Sequence, residues 1–262
     1  MNNPLLVDSH CHLNYPQIGA LQEVVGRAEA VGVRVLQTIC TKMHEFPDVL
    51  AIAEQFPHVY ASVGIHPHEA GNERVTTQEL VERAQHSKVI GIGESGLDYY
   101  YEHSPREAQA ESFRQHIAAS RETGCPLIVH TRDADEDTIA ILEDEQEKGA
   151  FSFLIHCFSS SDYLANQSVE LGGYISLSGI LTFKKAEALR ESAKHLPLER
   201  LLVETDAPYL APVPYRGKPC EPAYTRYTAE CLAELRGISY EEVAKATTDN
   251  FFRLFTKAKR PV

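Results

Sequence analysis

The sequence has no long hydrophobic run. No stretch of about 18 consecutive apolar residues occurs in the chain, and this excludes a membrane span. The apolar stretch after Met1 covers only residues 4–7 and is interrupted at once by Asp8 and His10, so no signal peptide is predicted. We therefore expect a soluble, cytoplasmic protein that does not insert into membranes.

Paired cysteine spacings are also missing. The six cysteines form no CxxC pair and no spacing typical of a disulfide framework, so we expect reduced thiols. Four of them stand in or beside apolar runs and are expected to be buried, namely Cys11, Cys40, Cys125 and Cys157.

Positive charge is scarce. The chain has 25 Lys and Arg against 37 Asp and Glu, which gives a formal net charge of −12. This balance argues against a surface that coats nucleic acid, because affinity for the phosphate backbone comes from Lys and Arg. A polyanionic substrate would need a local source of positive charge.

What the sequence does contain is a repeated pattern of short, β-rich apolar runs, each followed by a polar or helix-forming stretch. Successive runs start roughly 22 to 37 residues apart, which is the length of a βα unit. Eight such units predict an α/β fold, a single-domain (β/α)₈ TIM barrel over residues 1–262. A doubly wound open sheet is the alternative, but it does not require eight runs. The predicted strands are residues 5–10, 34–40, 59–66, 89–96, 126–132, 152–159, 174–180 and 201–208.

The clearest helix signal is "SPREAQAESFRQHIAASRETG", which covers residues 104–124. Ser104 is the predicted N-cap, Pro105 suits the first helical position, and Glu107 completes a capping box. Gly124 is expected to end the helix.

Polar side chains stand at the ends of the predicted strands. In a TIM barrel the functional side chains come from these C-terminal ends and from the loops that follow them. In "LLVDSHCHLN", alternation along the strand points both histidines to one side. The strand ends carry His10 and His12, His66 and His68, Glu94 and Asp98, His130 and Arg132, His156, and Glu204 and Asp206.

Six of these residues form a candidate metal site. His, Glu and Asp without paired Cys suit divalent cations such as Zn²⁺, Mn²⁺ or Mg²⁺. Six ligands exceed the need of one tetrahedral ion, so two divalent metal ions bridged by a carboxylate are predicted. Such a pair activates water and clamps an oxyanion, which predicts a hydrolase. The predicted ligands are His10, His12, Glu94, His130, His156 and Asp206.

Each histidine taken alone is also compatible with a structural role in the barrel. Glu94 is harder to explain in that way, because a carboxylate after "VIGIG" would be buried and would need a cation or a salt-bridge partner. Glu204 shares a strand face with Asp206, and we expect it to form an interior salt bridge. A structural explanation of the whole set would need several coincidences at one barrel rim.

The stretch "GIGESG" at residues 91–96 fits the dinucleotide fingerprint GxGxxG. That fingerprint requires a helix that starts in the glycine loop and an acidic residue about 20 residues further on, at the end of the next strand. The following "LDYYYEHSP" is not a helix start, so we reject dinucleotide binding by this stretch. The glycines are expected to let a carboxylate-bearing strand end pack tightly.

Aromatic and cationic residues occupy loops at the same predicted rim. Tyr99, in the run formed with Tyr100 and Tyr101, is a candidate platform for a nucleobase, although loop packing is the favoured explanation of this run. Arg132 and Arg216 are candidate substrate contacts. They belong to a set of rim cations that are either phosphate clamps or solvated charges, namely Arg132, Lys184, Lys185, Arg216 and Lys218.

Six stretches, taken in order, resemble the TatD family of metal-dependent hydrolases, within the amidohydrolase-like barrel superfamily. They are "VDSHCHL", "VGIHPHE", "IGESGLDYY", "PLIVHTRDA", "IHCFS" and "LLVETDAPYL", which together reach from residue 7 to about residue 222. The resemblance implies a TIM barrel with a dinuclear divalent site and a deoxyribonuclease activity that includes 3′ to 5′ trimming of DNA ends. It further implies that one ion is held by His10, His12, Glu94 and Asp206 and the other by Glu94, His130 and His156.

The resemblance also implies catalytic roles. Asp206 would be the general base, Glu94 would bridge the ions, and His66 would contact phosphate or assist the leaving group. Arg132 is a candidate charge clamp. Three positions depart from the family pattern without removing a ligand, and the last of them puts the substrate contact of its loop in doubt: Asn14, Ser95 and Cys220.

DNA, at its ends or in single strands, is the expected substrate. Two divalent ions would make the cleft receptive to a phosphodiester although the surface is acidic. Two alternatives stay open, namely hydrolysis of an amide, lactone or aminoacyl ester at the same site, and a non-catalytic metal-binding scaffold. No stable protein partner is predicted.

Overall fold

The computed structural model describes residues 3–261 and contains, in that range, eight strands and nine α-helices. The strands are β1 (Leu6–Cys11), β2 (Val33–Thr38), β3 (Val59–Val63), β4 (Val89–Asp98), β5 (Leu127–Arg132), β6 (Phe153–Ile155), β7 (Tyr174–Leu177) and β8 (Leu201–Val203). The helices are α1 (Leu21–Ala30), α2 (Phe46–Gln55), α3 (Thr77–Ala84), α4 (Arg106–Thr123), α5 (Asp135–Glu147), α6 (Asp162–Glu170), α7 (Glu187–His195), α8 (Thr225–Arg236) and α9 (Tyr240–Leu254). Short 3₁₀ helices cover Pro16–Ile18, Met43–Glu45, Pro67–Glu69, Gly179–Thr182, Leu198–Arg200 and Pro222–Tyr224.

All eight strands belong to one parallel sheet whose spatial order is the chain order, β1 to β8. Backbone hydrogen bonds join the first strand to the segment after the last one. The Asp206 N–H donates to the carbonyl of His10 at 2.9 Å, and the His12 N–H donates to the carbonyl of Ala207 at 2.7 Å. The predicted TIM barrel is thereby confirmed as a nearly closed parallel barrel with alternating helices.

The strands of the second half end earlier than the apolar runs predicted. β6 ends at Ile155 and β8 at Val203, although the runs continue to residues 159 and 208. The chain leaves the sheet there, and residues 156–159 and 204–208 form the rim of the barrel mouth. β4 shows the opposite difference, since it continues through Asp98.

The N-terminal end of the barrel interior is apolar. Inward-facing strand residues such as Val35, Ile90 and Ile128 pack in one cluster with Phe251 and Phe255, which come from α9 and the residue after it. These side chains are excluded from water and contribute hydrophobic stabilisation. Because this packing fills the N-terminal end of the barrel, the polar strand ends face a cavity only at the C-terminal end.

The glycine-rich stretch lies within β4 and starts no helix, in agreement with the rejection of the dinucleotide fingerprint. A Cβ atom added to Gly93, whose φ is +129°, would lie 2.6 Å from the carbonyl oxygen of Ile128. Glycine therefore permits a close approach of β4 to β5. This approach brings Glu94 next to the strand that carries His130.

Helix α4 begins at Arg106, one residue later than the sequence predicts. Pro105 occupies the N-cap position, and no side chain caps the helix. Ser104 instead donates its hydroxyl to the carbonyl of His68 at 2.7 Å, so it connects two loops of the barrel mouth. Gly124 ends the helix with a φ of +68°, as predicted.

The sequence predicts reduced cysteines and no membrane span. All six cysteines are free thiols. Within residues 3–261, none of the helices combines the length and the apolar character that crossing a bilayer requires.

Candidate metal centre

The predicted ligands converge at the C-terminal mouth of the barrel. Ring nitrogens and carboxylate oxygens of His10, His12 and Glu94 lie within 4.8 Å of one another, and the same holds for those of His66, Glu94 and His130. Glu94 belongs to both groups. It is therefore the side chain around which the site is arranged.

The two carboxylate oxygens of Glu94 face different histidines. Its Oε1 lies 2.8 Å from His156 Nε2, 3.0 Å from His130 Nδ1 and 3.4 Å from His66 Nε2. Its Oε2 lies 3.3 Å from His10 Nε2. One carboxylate thus separates two sets of nitrogen donors.

Asp206 completes the donor set on the Oε2 side. Its Oδ1 lies 3.2 Å from His12 Nε2 and 3.7 Å from His10 Nε2. Asp206 has a φ of +59°, a conformation that is costly for a residue with a side chain and that recurs at functional sites. Its backbone is fixed on both sides, since its N–H bonds to His10 and its carbonyl accepts the N–H of Tyr209.

The charges of the site are mutually dependent. Burial raises the pKa of Glu94, but the charges of His156, His66 and His10 outweigh burial and hold this pKa well below its usual range. Burial lowers the pKa of His10. Burial also acts to lower the pKa of His12, His130 and His156, but hydrogen bonds and charges of the nearby carboxylates raise the pKa of all three. A buried negative carboxylate surrounded by nitrogen donors is an arrangement suited to a bound cation.

The outer ring nitrogens of His130 and His156 are hydrogen-bonded to carboxylates. His130 Nε2 lies 3.1 Å from Asp98 Oδ2, and His156 Nδ1 lies 3.2 Å from Glu204 Oε1. A carboxylate accepts a proton donor, so these nitrogens carry the hydrogen. The inner nitrogens lie as close to the carboxylate of Glu94, and they would be the lone-pair donors of a carboxylate–histidine–metal arrangement when a cation lies between them and Glu94.

His66 turns its hydrogen-bearing nitrogen towards Glu94, although that nitrogen is Nε2, as it is in His130. Its Nδ1 accepts the backbone N–H of His68 at 3.1 Å, so the hydrogen of the neutral ring is on Nε2. Burial lowers the pKa of His66 to about 4, which keeps the ring neutral. The nitrogen that His66 presents to Glu94 is a hydrogen-bond donor, and in this respect His66 differs from the two histidines beside it.

The remaining nitrogens of the cluster fit a metal ion for a further reason. Neither ring nitrogen of His10 has a hydrogen-bond partner within residues 3–261, and the same is true of His12 Nδ1. Buried polar atoms are normally paired. Unpaired nitrogens next to two carboxylates are therefore the donor set expected for a cation, and the predicted residues fit that group.

A cavity of about 850 Å³ opens above the cluster. His66 and Arg132, two of the predicted substrate contacts, line it. Residues that the sequence interpretation did not assign to the site also line it, because the loops after β1, β2 and β8 supply them without a recognisable pattern: Tyr15, Lys42 and Tyr209.

Two predicted substrate contacts lie elsewhere. The Tyr99 hydroxyl donates to Asp137 at 2.7 Å, and the guanidinium of Arg106 lies 3.9 Å from its ring centre, so Tyr99 packs outside the cavity. Its neighbours Tyr100 and Tyr101 line the cavity in its place. Arg216 lies on a smaller adjoining cavity of about 510 Å³.

Comparison with known proteins agrees with this geometry. The family described as TatD related DNase matches residues 7–256. The chain belongs to this family. It is therefore a TatD-family metal-dependent hydrolase, with a His, Glu and Asp cluster able to bind metal ions.

Members of the TatD family resemble the chain over nearly its whole length. It is 44% identical over 254 residues to the uncharacterized metal-dependent hydrolase YcfH of Escherichia coli, covering 95% of each chain. It is 35% identical over 241 residues to the 3′-5′ ssDNA/RNA exonuclease TatD of Citrobacter rodentium, covering 89% of this chain and 90% of that one. The crystal structure of the TatD homologue YjjV from Escherichia coli superposes with a TM-score of 0.87 at 28% identity, covering 96% and 98% of the two chains.

Proposed function

We propose that the chain is a metal-dependent deoxyribonuclease that hydrolyses phosphodiester bonds at a centre of two divalent ions. We further propose that it removes nucleotides in the 3′ to 5′ direction from single strands or DNA ends. The observation that carries the proposal is the position of Glu94, whose two oxygens face separate sets of nitrogen donors. The name of the Citrobacter relative supports a nucleic acid substrate.

The ligands divide between the two oxygens of Glu94. On the Oε2 side we assign one ion to His10, His12, Asp206 and Glu94. On the Oε1 side we assign the other ion to the lone-pair nitrogens of His130 and His156, together with Glu94. Divalent cations, as Mg²⁺, Mn²⁺ or Zn²⁺, would polarise a phosphoryl oxygen and lower the pKa of water.

Asp206 is the proposed proton acceptor. Its side chain is 15% exposed and lines the cavity, whereas Glu94 beside it is 3% exposed. Hydrogen bonding and charge from His12 and His10 hold the pKa of Asp206 below its usual range although burial raises it. The carboxylate is thus ionised and accessible, as a general base must be.

His66 is the proposed proton donor at the phosphate. Its Nε2 carries the hydrogen, and its ring lines the cavity. A neutral N–H donor can stabilise charge that develops on a phosphoryl or leaving oxygen. This role agrees with the tautomer that the His68 backbone imposes.

Positive charge for the substrate comes from the rim. The five cations predicted at the rim make no ion pair within residues 3–261, namely Arg132, Lys184, Lys185, Arg216 and Lys218. These charges are therefore available to phosphates. A short strand, rather than a long duplex, matches such a local patch on an acidic protein.

The test uses protein stripped of metal and reloaded separately with Mg²⁺, Mn²⁺ or Zn²⁺. Single-stranded and blunt duplex oligonucleotides, labelled at the 5′ or the 3′ end, report rate and direction. We expect metal-restored cleavage that shortens the 5′-labelled strand one nucleotide at a time and that is lost in Glu94→Gln.

The matched control is Glu241→Gln, which changes an exposed carboxylate of α9 at the opposite end of the barrel. This variant is expected to keep wild-type rates. If no metal restores cleavage of any oligonucleotide while the ions still bind, the deoxyribonuclease proposal is wrong and amide or ester substrates take its place.

A further inference from the structure

Exposed tyrosines are concentrated around the cavity. Large hydrophobic side chains are rarely as exposed as Tyr100 (57%), Tyr101 (50%) and Tyr209 (50%), and all three line the same cavity. Exposed aromatic surface that surrounds a polar cleft marks a binding site, because it stays in water until a ligand covers it.

The first group of rings follows β4. Tyr100 and Tyr101 lie 4.8 Å apart at an angle of 89°, and the guanidinium of Arg132 lies 3.9 Å from the ring centre of Tyr100. The backbone N–H groups of both tyrosines donate to Asp98 Oδ1, at 3.1 and 2.9 Å. Asp98 also bonds to His130, so the rings are fixed relative to the proposed metal ligand. We call Tyr100, Tyr101 and Arg132 the β4 platform.

The second group lies beyond β1 and β8. The Tyr15 ring stacks on His12 with a centroid distance of 4.8 Å and an angle of 14°, and Tyr209 lies 6.1 Å from Tyr15 at 81°. The Tyr15 hydroxyl is held at 3.2 Å by Thr41. We call Tyr15 and Tyr209 the β8 platform. It is attached to the proposed ligand His12, as the β4 platform is attached to His130.

The two platforms lie on opposite sides of the centre. Three strands lie between β4 and β8 in either direction around the eight-stranded barrel. A polymer whose phosphate lies at Glu94 and Asp206 therefore has one platform on each side. The cavity of about 850 Å³ includes residues of both.

We propose that each platform stacks one nucleobase, so that the two nucleotides on either side of the scissile phosphate are both bound by their bases. This inference rests on the proposed phosphodiesterase function and names its substrate unit. Every base offers an aromatic face, so the site tolerates any sequence. In a duplex both faces of each base are already stacked, and this favours single strands with unpaired bases.

The experiment measures KM and kcat for the first bond cleaved in 5′-labelled single-stranded oligonucleotides. In one substrate the 3′-terminal nucleotide lacks its base, and in another the penultimate nucleotide lacks it. The variants are Tyr209→Leu and the double variant Tyr100→Leu/Tyr101→Leu. Phe replacements retain the rings, and Tyr163→Leu removes an equally exposed tyrosine of α6 outside the cavity.

We expect about a tenfold rise in KM for each Leu variant, with little change in kcat, because one stacked base is lost. The Phe variants and Tyr163→Leu should match the wild type. Removal of one base should abolish the effect of one platform variant, and removal of the other base should abolish the effect of the other. A merely structural role of the tyrosines would instead impair cleavage of all substrates alike.

The inference is overturned if wild-type enzyme cleaves the abasic substrates with unchanged KM, or if the Leu variants behave like Tyr163→Leu. Those results leave the nuclease proposal standing. Failure of the wild-type enzyme to cleave any oligonucleotide would contradict the proposed function itself, and this inference with it.

Discussion

The position of one hydrogen atom distinguishes histidines that are otherwise equivalent in the site. His130 and His66 both approach Glu94 Oε1, at 3.0 and 3.4 Å. His130 donates a hydrogen bond from its outer nitrogen to Asp98, whereas His66 accepts one from a backbone N–H. With a cation at Glu94, the first ring would be a ligand and the second a hydrogen-bond donor.

Replacement of His66 tests this distinction. His66→Ala should lower kcat for a single-stranded oligonucleotide about 100-fold, because a positioned proton donor is lost. The number of ions bound per chain should stay that of the wild type, as measured by elemental analysis after dialysis. His130→Ala is the comparison, and it should lose metal. Loss of metal in His66→Ala would show that His66 is a ligand.

Asp98 is expected to act through His130. In Asp98→Asn the outer nitrogen of His130 loses its carboxylate partner, so metal affinity should fall about 10- to 100-fold while the fold is retained. The measurement is a calorimetric titration with Mn²⁺. Asp137→Asn removes a neighbouring carboxylate whose one side-chain hydrogen bond within residues 3–261 is to Tyr99, and it should leave the affinity unchanged. Equal Mn²⁺ affinities in the two variants would contradict the role of Asp98 in positioning His130.

The residues of the cluster could be predicted from the sequence because they stand where apolar strands end. Their tautomers could not, since these depend on partners such as Asp98 and Glu204 that come from other strands. The position of the Tyr99 ring could not be predicted from the sequence either. After Asp98 the chain turns, and hydrogen bonding to Asp137 rather than alternation decides where this ring points.

At the scale of the elements, the eight strands can be predicted from the sequence because each buries an apolar run. The residues at which the strands end cannot be predicted in this way. β6 and β8 stop at Ile155 and Val203 because His156 and Glu204 begin segments whose side chains serve the centre. The start of α4 also differs from the prediction because of a contact between loops. Ser104 has the residue type of an N-cap, but the carbonyl of His68 takes its hydroxyl.

Helix α4 also contains a buried histidine that should affect stability. His116 Nε2 accepts the N–H of Ile65 at 3.0 Å, and its Nδ1 donates to the carbonyl of Ser112 at 2.7 Å. Burial lowers the pKa of His116 to about 4 from an ordinary value of 6.5. As the pH falls, the His116 ring is protonated in the unfolded chain before it is protonated in the folded protein. The free energy of unfolding therefore decreases as the pH falls from 6.5 to about 4.

Between pH 7.5 and 5 this group should cost roughly 2 kcal/mol of the free energy of unfolding. The measurement is urea denaturation at both pH values for the wild type and for His116→Gln, which offers the same two hydrogen bonds without a titrating ring. The pH dependence of the variant should be weaker by that amount. Identical pH dependence in the two proteins would show that His116 titrates alike in both states.

On the scale of the whole molecule, charge is unevenly distributed. The chain carries a net charge of −12, yet the loops after β5, β7 and β8 present cations that no carboxylate neutralises within residues 3–261. Composition predicts the overall sign correctly. It cannot predict this local patch, which depends on the folding of separate loops to one end of the barrel.

The patch should make substrate affinity depend on salt. In Lys218→Gln the slope of log KM against log salt concentration should decrease by about 0.7 to 1, since one phosphate contact is lost. Lys245→Gln is the control, because Lys245 is already paired with Asp249 on α9, far from the mouth. Steady-state assays between 50 and 200 mM salt, roughly the range over which such contacts weaken, provide the slopes. Equal slopes in the two variants would exclude Lys218 from the substrate path.

The central claim is that Glu94 joins two ions into one hydrolytic centre. The most direct test is a titration of metal-free protein with Mn²⁺, in which bound ions, their magnetic coupling and the hydrolysis of a single-stranded oligonucleotide are followed together. The account predicts that hydrolysis reaches its maximum at two ions per chain, that the spins are coupled, and that Glu94→Gln loses both coupling and activity. Full activity with a single bound ion, or two coupled ions without hydrolysis, would contradict it.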